Sequence, residues 1–124
     1  NNKYFKSKDI IGKQNLVISF FASWCVPCAK EIPELMIMEK EFDDDFDFIL
    51  IDVNEKKPIV KKHVDEKKIT LQVLLDKYGK VFKSFGGTTL PLLVVIDKKG
   101  NITYKHTGYV SGDEKKLRKH LSSL

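Results

Sequence analysis

An apolar run from Leu16 to Phe21 leads straight into Ser-Trp-Cys-Val-Pro-Cys, and beyond Cys28 apolar residues recur at Ile32, Leu35, Met36 and Phe42. The run is rich in β-formers and suits a strand buried on both faces, while the later spacing is helical. Both cysteines therefore stand where a buried strand turns into a helix. They are the only two in the chain. A disulfide stabilises a fold chiefly by closing a long loop, and this pair would close almost none. Reactivity or ligand chemistry must explain it: a redox dithiol, half of a zinc site, or an incidental pair in a core.

The rest of the chain alternates. Phe46 to Val53 is expected as a strand after the acidic turn Asp43, Asp44 and Asp45, and Pro33 should kink the helix before it. Pro58 suits a helix start, with Ile59, Val60, His63 and Val64 on one side, lysines on the other and an end near Lys68. Ile69 to Leu75 is a short strand or an extended segment, and Val81, Phe82 and Phe85 imply a short helix closed by Gly86 and Gly87. Leu92 to Asp97, the turn Lys-Lys-Gly-Asn and Ile102 to Tyr109 make an antiparallel hairpin. Ser111 and Glu114 fit a capping box opening a last helix, with Leu117, Leu121 and Leu124 on one face. Parallel alternation followed by a hairpin predicts an α/β fold, one mixed central sheet with helices on both faces.

With 42% hydrophobic and 31% charged residues in 14.3 kDa, the chain should form one domain, residues 1–124, around a single core. No apolar run approaches the roughly 20 residues of a membrane span. The net charge of +5 comes from dispersed lysines such as Lys56, Lys57, Lys61, Lys62, Lys67 and Lys68. They lack the arginines and interleaved aromatics of nucleic-acid modules. A solvated lysine face is expected, with an acidic partner or an anionic membrane surface as the alternative. The first residue is Asn1 and not methionine, so a signal peptide or anchor is expected to have been removed.

At the mouth of a helix, Cys25 meets unpaired N–H groups and the positive end of the helix dipole, which favour a thiolate. Such thiols titrate between about 3.5 and 7.5, and the thiolate is the form that attacks disulfides. Cys25 is expected to attack and Cys28, one turn inside, to resolve. Zinc would need four ligands, and His63, His106 and His120 sit at no recognisable spacing. An inert core pair fits poorly with Trp24, Val26 and Pro27, which read as an exposed turn.

"FFASWCVPC", with Pro33 five places after Cys28 and "LPLLVVIDKKG" downstream, resembles the thioredoxin superfamily, and within it the extracytoplasmic TlpA/ResA-like thiol-disulfide oxidoreductases. The resemblance implies a thioredoxin-like fold with a central insertion over about residues 53–88. It implies Pro91 as a cis-proline facing the active site, Thr89 and Leu90 offering backbone edges to an extended substrate, and Trp24 flanking the nucleophile. Substrate contact is thereby assigned to Trp24, Val26, Pro27, Thr89, Leu90 and Pro91. Cytosolic thioredoxins resemble this stretch but carry a buried aspartate six residues before the first cysteine, where this chain has Ser19. The resemblance assigns the proton-shuttling acid to Glu55, with its pKa raised by partial burial. The alternative for Glu55 is a solvated acid near a helix start. Family members also carry an N-terminal hairpin, for which only about ten residues are present.

The same resemblance implies an extracytoplasmic or periplasmic monomer that reduces selected protein disulfides. It would need no bound cofactor beyond the redox-active Cys25–Cys28 disulfide and no metal. Its clients would be apocytochromes c or copper-site proteins, its electrons would come from a membrane thiol-disulfide donor, and an N-terminal anchor is an expected companion. Net oxidation of exported proteins, or copper carriage through Cys25 and Cys28, are the competing readings.

Overall fold

The computed structural model describes residues 14–42 and 44–124, so the expectation about an N-terminal hairpin, and Asp43 of the acidic turn, fall outside the described residues. Five strands form one sheet: β1 (Asn15–Phe21), β2 (Phe46–Val53), β3 (Gln72–Asp76), β4 (Leu92–Ile96) and β5 (Ile102–Thr107). Four helices accompany them: α1 (Val26–Glu41), α2 (Lys57–Lys67), α3 (Lys80–Ser84) and α4 (Asp113–Ser122). The sheet order is β3-β2-β1-β4-β5, with β1, β2 and β3 parallel and β4 and β5 antiparallel to their neighbours. The expected mixed sheet is therefore present.

Because side chains alternate along β1, the strand feeds two separate cores. Val17 and Phe21 join Phe48, Leu50, Val73, Leu93 and Val95 under Cys28, Ile32 and Leu35 of α1, Val60 of α2 and Leu117 and Leu121 of α4. Leu16, Ile18 and Phe20 join Ile49, Ile51, Val94 and Ile96 on the other face, which among the described residues is covered by α3 through Phe82 and Phe85. The two parallel crossovers step in one direction across the sheet. The right-handed rule then puts α1 and α2 on one face, leaving α3 to cover the other as the chain returns to β4. Two buried layers replace the single core expected from composition.

Asp76 opens α3 by accepting the Val81 and Phe82 N–H groups at 3.3 and 2.8 Å. Phe82 then packs on Phe20, ring centres 5.6 Å apart. Gly87 sits against that ring, and a Cβ there would collide with Phe82 Cε1, Cδ1 and Cζ. Gly87→Ala is expected to cost about 1–3 kcal/mol by forcing Phe82 off Phe20, read as a lower urea midpoint with an unchanged slope.

Two expectations near the C-terminus need correction. The Ser111–Glu114 capping box does not form: Gly112 occupies the N-cap at φ +106° with no side-chain cap. Glu114 still reaches back, accepting from Gly112 N at 2.9 Å, but its second partner is the Tyr109 hydroxyl at 2.6 Å. Asp113 accepts the Val110 N–H at 2.9 Å, so the preceding turn is closed by acids inside the helix and Ser111 is left exposed. Leu124 lies beyond the helix end and is 48% exposed, off the packed face of Leu117 and Leu121. β5 stops at Thr107 because Gly108, at φ +85°, turns the chain and gives its N–H to Pro91 O at 2.7 Å.

Candidate functional site

β1 and β2 both end beside Cys25, the place where open α/β sheets hold their chemistry. Ala22 O accepts the Cys25 N–H at 3.2 Å and tightens the turn off β1. Cys25 is the N-cap of α1, extended at φ −85° and ψ 110°, and its Sγ accepts the Cys28 N–H at 3.3 Å. Pro27 in the first turn loses nothing by lacking an N–H, since that group would have no helical partner. Cys25 and Cys28 are joined in a disulfide. Its two sulfur-bearing residues are both buried, Cys28 the more so, while Trp24 and Val26 beside them are 71% and 66% exposed. Apolar surface so open, immediately around a reactive bond, is the expected form of a docking rim for another chain.

The Leu90–Pro91 peptide is cis. Leu92 pairs with Phe20, so Pro91 lies at the same end of the sheet as the cysteines, buried, with Thr89 exposed and Leu90 half-buried beside it. Every residue assigned to substrate contact thus lies in the turn before α1, in its first turn, or in the loop entering β4. Two histidines are engaged elsewhere, His106 with Asp113 at 3.0 Å and His120 with Thr103 at 2.9 Å, while His63 lies against the Phe21 ring on the Glu55 side.

The acids are arranged differently from expectation. Glu55 is held by Ser23, two residues before Cys25: Ser23 N donates to Oε1 at 2.8 Å and Ser23 Oγ to Oε2 at 2.5 Å. Partial burial alone would raise its pKa. The neighbouring Asp52 carboxyl and the hydrogen bonds from the Ser23 hydroxyl and N–H, with the nearby His63, outweigh burial and hold Glu55 below the ordinary carboxylate value. The expected upward shift of Glu55 is therefore reversed.

The acid pushed into the neutral range is Glu31. One turn after Cys28 on the same face of α1, it is 4% exposed and accepts from Ser19 Oγ at 2.6 Å. Burial, partly offset by Ser19 and reinforced by the charge of Asp113, raises it from 4.5 to about 7. Ser19 thus does not stand alone in place of the strand aspartate of cytosolic thioredoxins; α1 delivers a carboxyl to it. Spacing offered a signal here, since Glu31 falls between buried Cys28 and Leu35 on the helix, where an unpaired acid is out of place. A second buried acid, Asp52 on β2, has both carboxyl oxygens without a hydrogen-bond partner among the described residues. Burial first, and then the nearby carboxyl of Glu55, push it up to about 9.

Among the described residues, no group of three or more His, Cys, Asp or Glu could hold a metal ion, and no helix is long and apolar enough to cross a membrane.

The chain is similar to several known proteins. The thiol-disulfide oxidoreductase ResA of Bacillus thuringiensis is 30% identical over 86% of this chain, and the sporulation thiol-disulfide oxidoreductase A of Bacillus subtilis 24% identical over 83%. The chain spans 61% and 65% of the length of these relatives. A thioredoxin family thiol:disulfide interchange protein of Chlorobium tepidum has a crystal structure that superposes with a TM-score of 0.74 at 30% identity, covering 94% of this chain and 84% of that one. A second protein of that organism, described as a putative DsbE, superposes at 0.88 with 22% identity over 94% of this chain and 82% of its own. The thioredoxin-like fold expected from the Trp-Cys motif is thereby found. The match to the Redoxin family extends over residues 1–121, which takes in all five strands and every helix but the last residue of α4, and the chain belongs to that family.

Proposed function

We propose that this chain is a thiol-disulfide oxidoreductase that reduces disulfides of other proteins outside the cytoplasm. The carrying observation is the Cys25–Cys28 disulfide at the N-cap of α1, inside a rim of exposed Trp24 and Val26. Cys25 is the attacking sulfur: the Cys28 N–H and the dipole of α1 both favour its thiolate. Cys28 resolves the mixed disulfide. Glu31 is the proton carrier for Cys28, because a carboxyl near neutrality can both take and return a proton. Glu55 keeps a place in the site as the group that holds the Ser23 turn. Trp24, Val26, Pro27, Thr89, Leu90 and Pro91 form the surface that receives an extended client. Electrons would enter by exchange with a membrane thiol-disulfide donor, and apocytochromes c or copper-site proteins are the proposed clients.

The test is the equilibrium reduction potential of the Cys25–Cys28 pair together with insulin reduction in dithiothreitol. A potential near or below about −230 mV with rapid insulin precipitation is expected of a reductant. A value near about −120 mV would instead mark an oxidant of newly exported chains and overturn the direction proposed.

A further inference from the structure

A groove of about 470 Å³ runs between α2 and β3. Its shape comes from the spacing of α2: Val60 is buried against the sheet and Val64 half-buried, while Lys57 and Lys61, one turn apart, stand exposed at the rim. The floor is apolar. Leu71, just ahead of β3, and Val73 and Leu75 on it face α2, and Leu74 between them belongs to the other core. Among the described residues β3 is also the end strand of the sheet, so one row of its backbone N–H and C=O groups has no strand beside it. Such an edge is a template for a further strand unless charge or proline blunts it, and Gln-Val-Leu-Leu carries neither before Asp76.

We propose that this groove docks an extended acidic segment of a partner protein, added to the sheet along β3, with an apolar pair at its centre seated on the groove floor and carboxylates on either side of that pair reaching Lys57 and Lys61. Main-chain bonds to the edge supply affinity, and the groove supplies selection. Residues 71–75 span roughly 13 Å of chain, room for about three side chains of an added strand on the α2 face. The inference is independent of the dithiol reading, because β2 separates this edge from β1.

Charge selects the occupant. Among the described residues no acid lines the groove, and the ion pairs found, His106–Asp113 and Arg118–Glu41, involve neither Lys57 nor Lys61. A second copy seated edge to edge would bring Lys57 and Lys61 of both chains to one seam. The chain's own residues 1–13 carry Lys3, Lys6, Lys8 and Lys13 against a single acid, Asp9. Like charges suppress both of these occupants, and opposite charges steer a carboxylate-rich segment in.

Amide chemical shifts of the oxidised 124-residue chain provide the test. The peptide acetyl-Glu-Glu-Val-Thr-Val-Glu-Glu-amide should produce saturable shifts over residues 57–64 and 71–75, and acetyl-Lys-Lys-Val-Thr-Val-Lys-Lys-amide should produce none. Joint replacement Lys57→Glu and Lys61→Glu, both at exposed positions, should weaken the acidic peptide by about tenfold or more and admit the basic one. Equal binding of the two peptides, shifts confined to other residues, or no shift at all overturns the proposal. In the free protein the outward amides of β3 should exchange with solvent faster than those of central β1. Slow exchange at β3 would mean that residues 1–13 or a second copy already cover the edge, and would overturn the proposal equally.

Discussion

Cys28→Ser should turn the protein from a catalyst into a trap. In the first half-reaction the Cys25 thiolate attacks a client disulfide. A bond forms between Cys25 Sγ and one client sulfur, and the other client sulfur leaves as a thiolate and takes up a proton. In the second, the Cys28 thiolate attacks Cys25 Sγ, the client leaves with both of its sulfurs reduced, and the Cys25–Cys28 disulfide is formed. A serine hydroxyl cannot complete that second step, so turnover should fall to background while a covalent adduct accumulates to roughly one client per protein. Non-reducing gels after mixing with a disulfide-bonded client read the adduct directly. The matching Cys25→Ser variant should form none, because Cys28 lies one turn inside the helix, 1% exposed, without the N-cap stabilisation that Cys25 receives. Equal adduct in both variants would reverse the assignment of attacker and resolver.

The asymmetry between the two sulfurs was legible in the sequence because it follows from chain direction alone: a buried strand, a turn, then a helix whose first residues include a proline. The same is true of β2, expected and found at Phe46–Val53, and of α2, whose proline start and αL stop at Lys68 both lie where expected. The cis peptide at Pro91 was reached through family resemblance, since no local rule fixes the isomer of one X-Pro bond. Capping chemistry was read less well. A Ser-x-x-Glu pattern is satisfied by two residues, but at Ser111 it competed with Tyr109, Val110 and two consecutive acids, and these won because Asp113 and Glu114 reach the N–H groups of the turn.

The expected upward shift of Glu55 was reversed for a different physical reason. Glu55 stands at the sequence position where a carboxyl looks poised, at a strand end before a lysine-rich helix, and the structure does bring it to the site. Whether an acid sits near neutrality, however, depends on how much water and how many donors surround it. Glu55 keeps Ser23 as a double donor and remains partly solvated, whereas Glu31 is carried under the sheet by the helix and has one serine hydroxyl as its partner. Asp52 has no donor at all among the described residues. Three acids around one disulfide are therefore graded by their donors, and only the folded chain reveals the gradation.

Replacing Glu31 with glutamine should separate that gradation into its kinetic and its energetic parts. If Glu31 exchanges the Cys28 proton, Glu31→Gln should slow disulfide reduction by about a hundredfold near neutral pH, and the limb of the pH–rate profile near pH 7 should disappear. Ser19→Ala offers the converse shift: removing the hydroxyl that lowers the Glu31 pKa should move that limb to higher pH without abolishing it. Stability should change in the opposite sense to rate. The folded protein holds a proton on Glu31 that the unfolded chain has released, so wild-type stability falls as pH rises from about 4.5 to about 7 and is flat beyond. That interval corresponds to about 3 kcal/mol at most. Glutamine never ionises and can still hydrogen-bond Ser19, so the variant should be more stable than the wild type above neutral pH and nearly equal to it at about pH 4, in urea titrations at the two values. A variant that gains stability above neutrality yet keeps the full wild-type rate at every pH would leave Glu31 as a buried acid with no part in proton transfer, and the proton on Cys28 would then have to leave through water at the Trp24 rim.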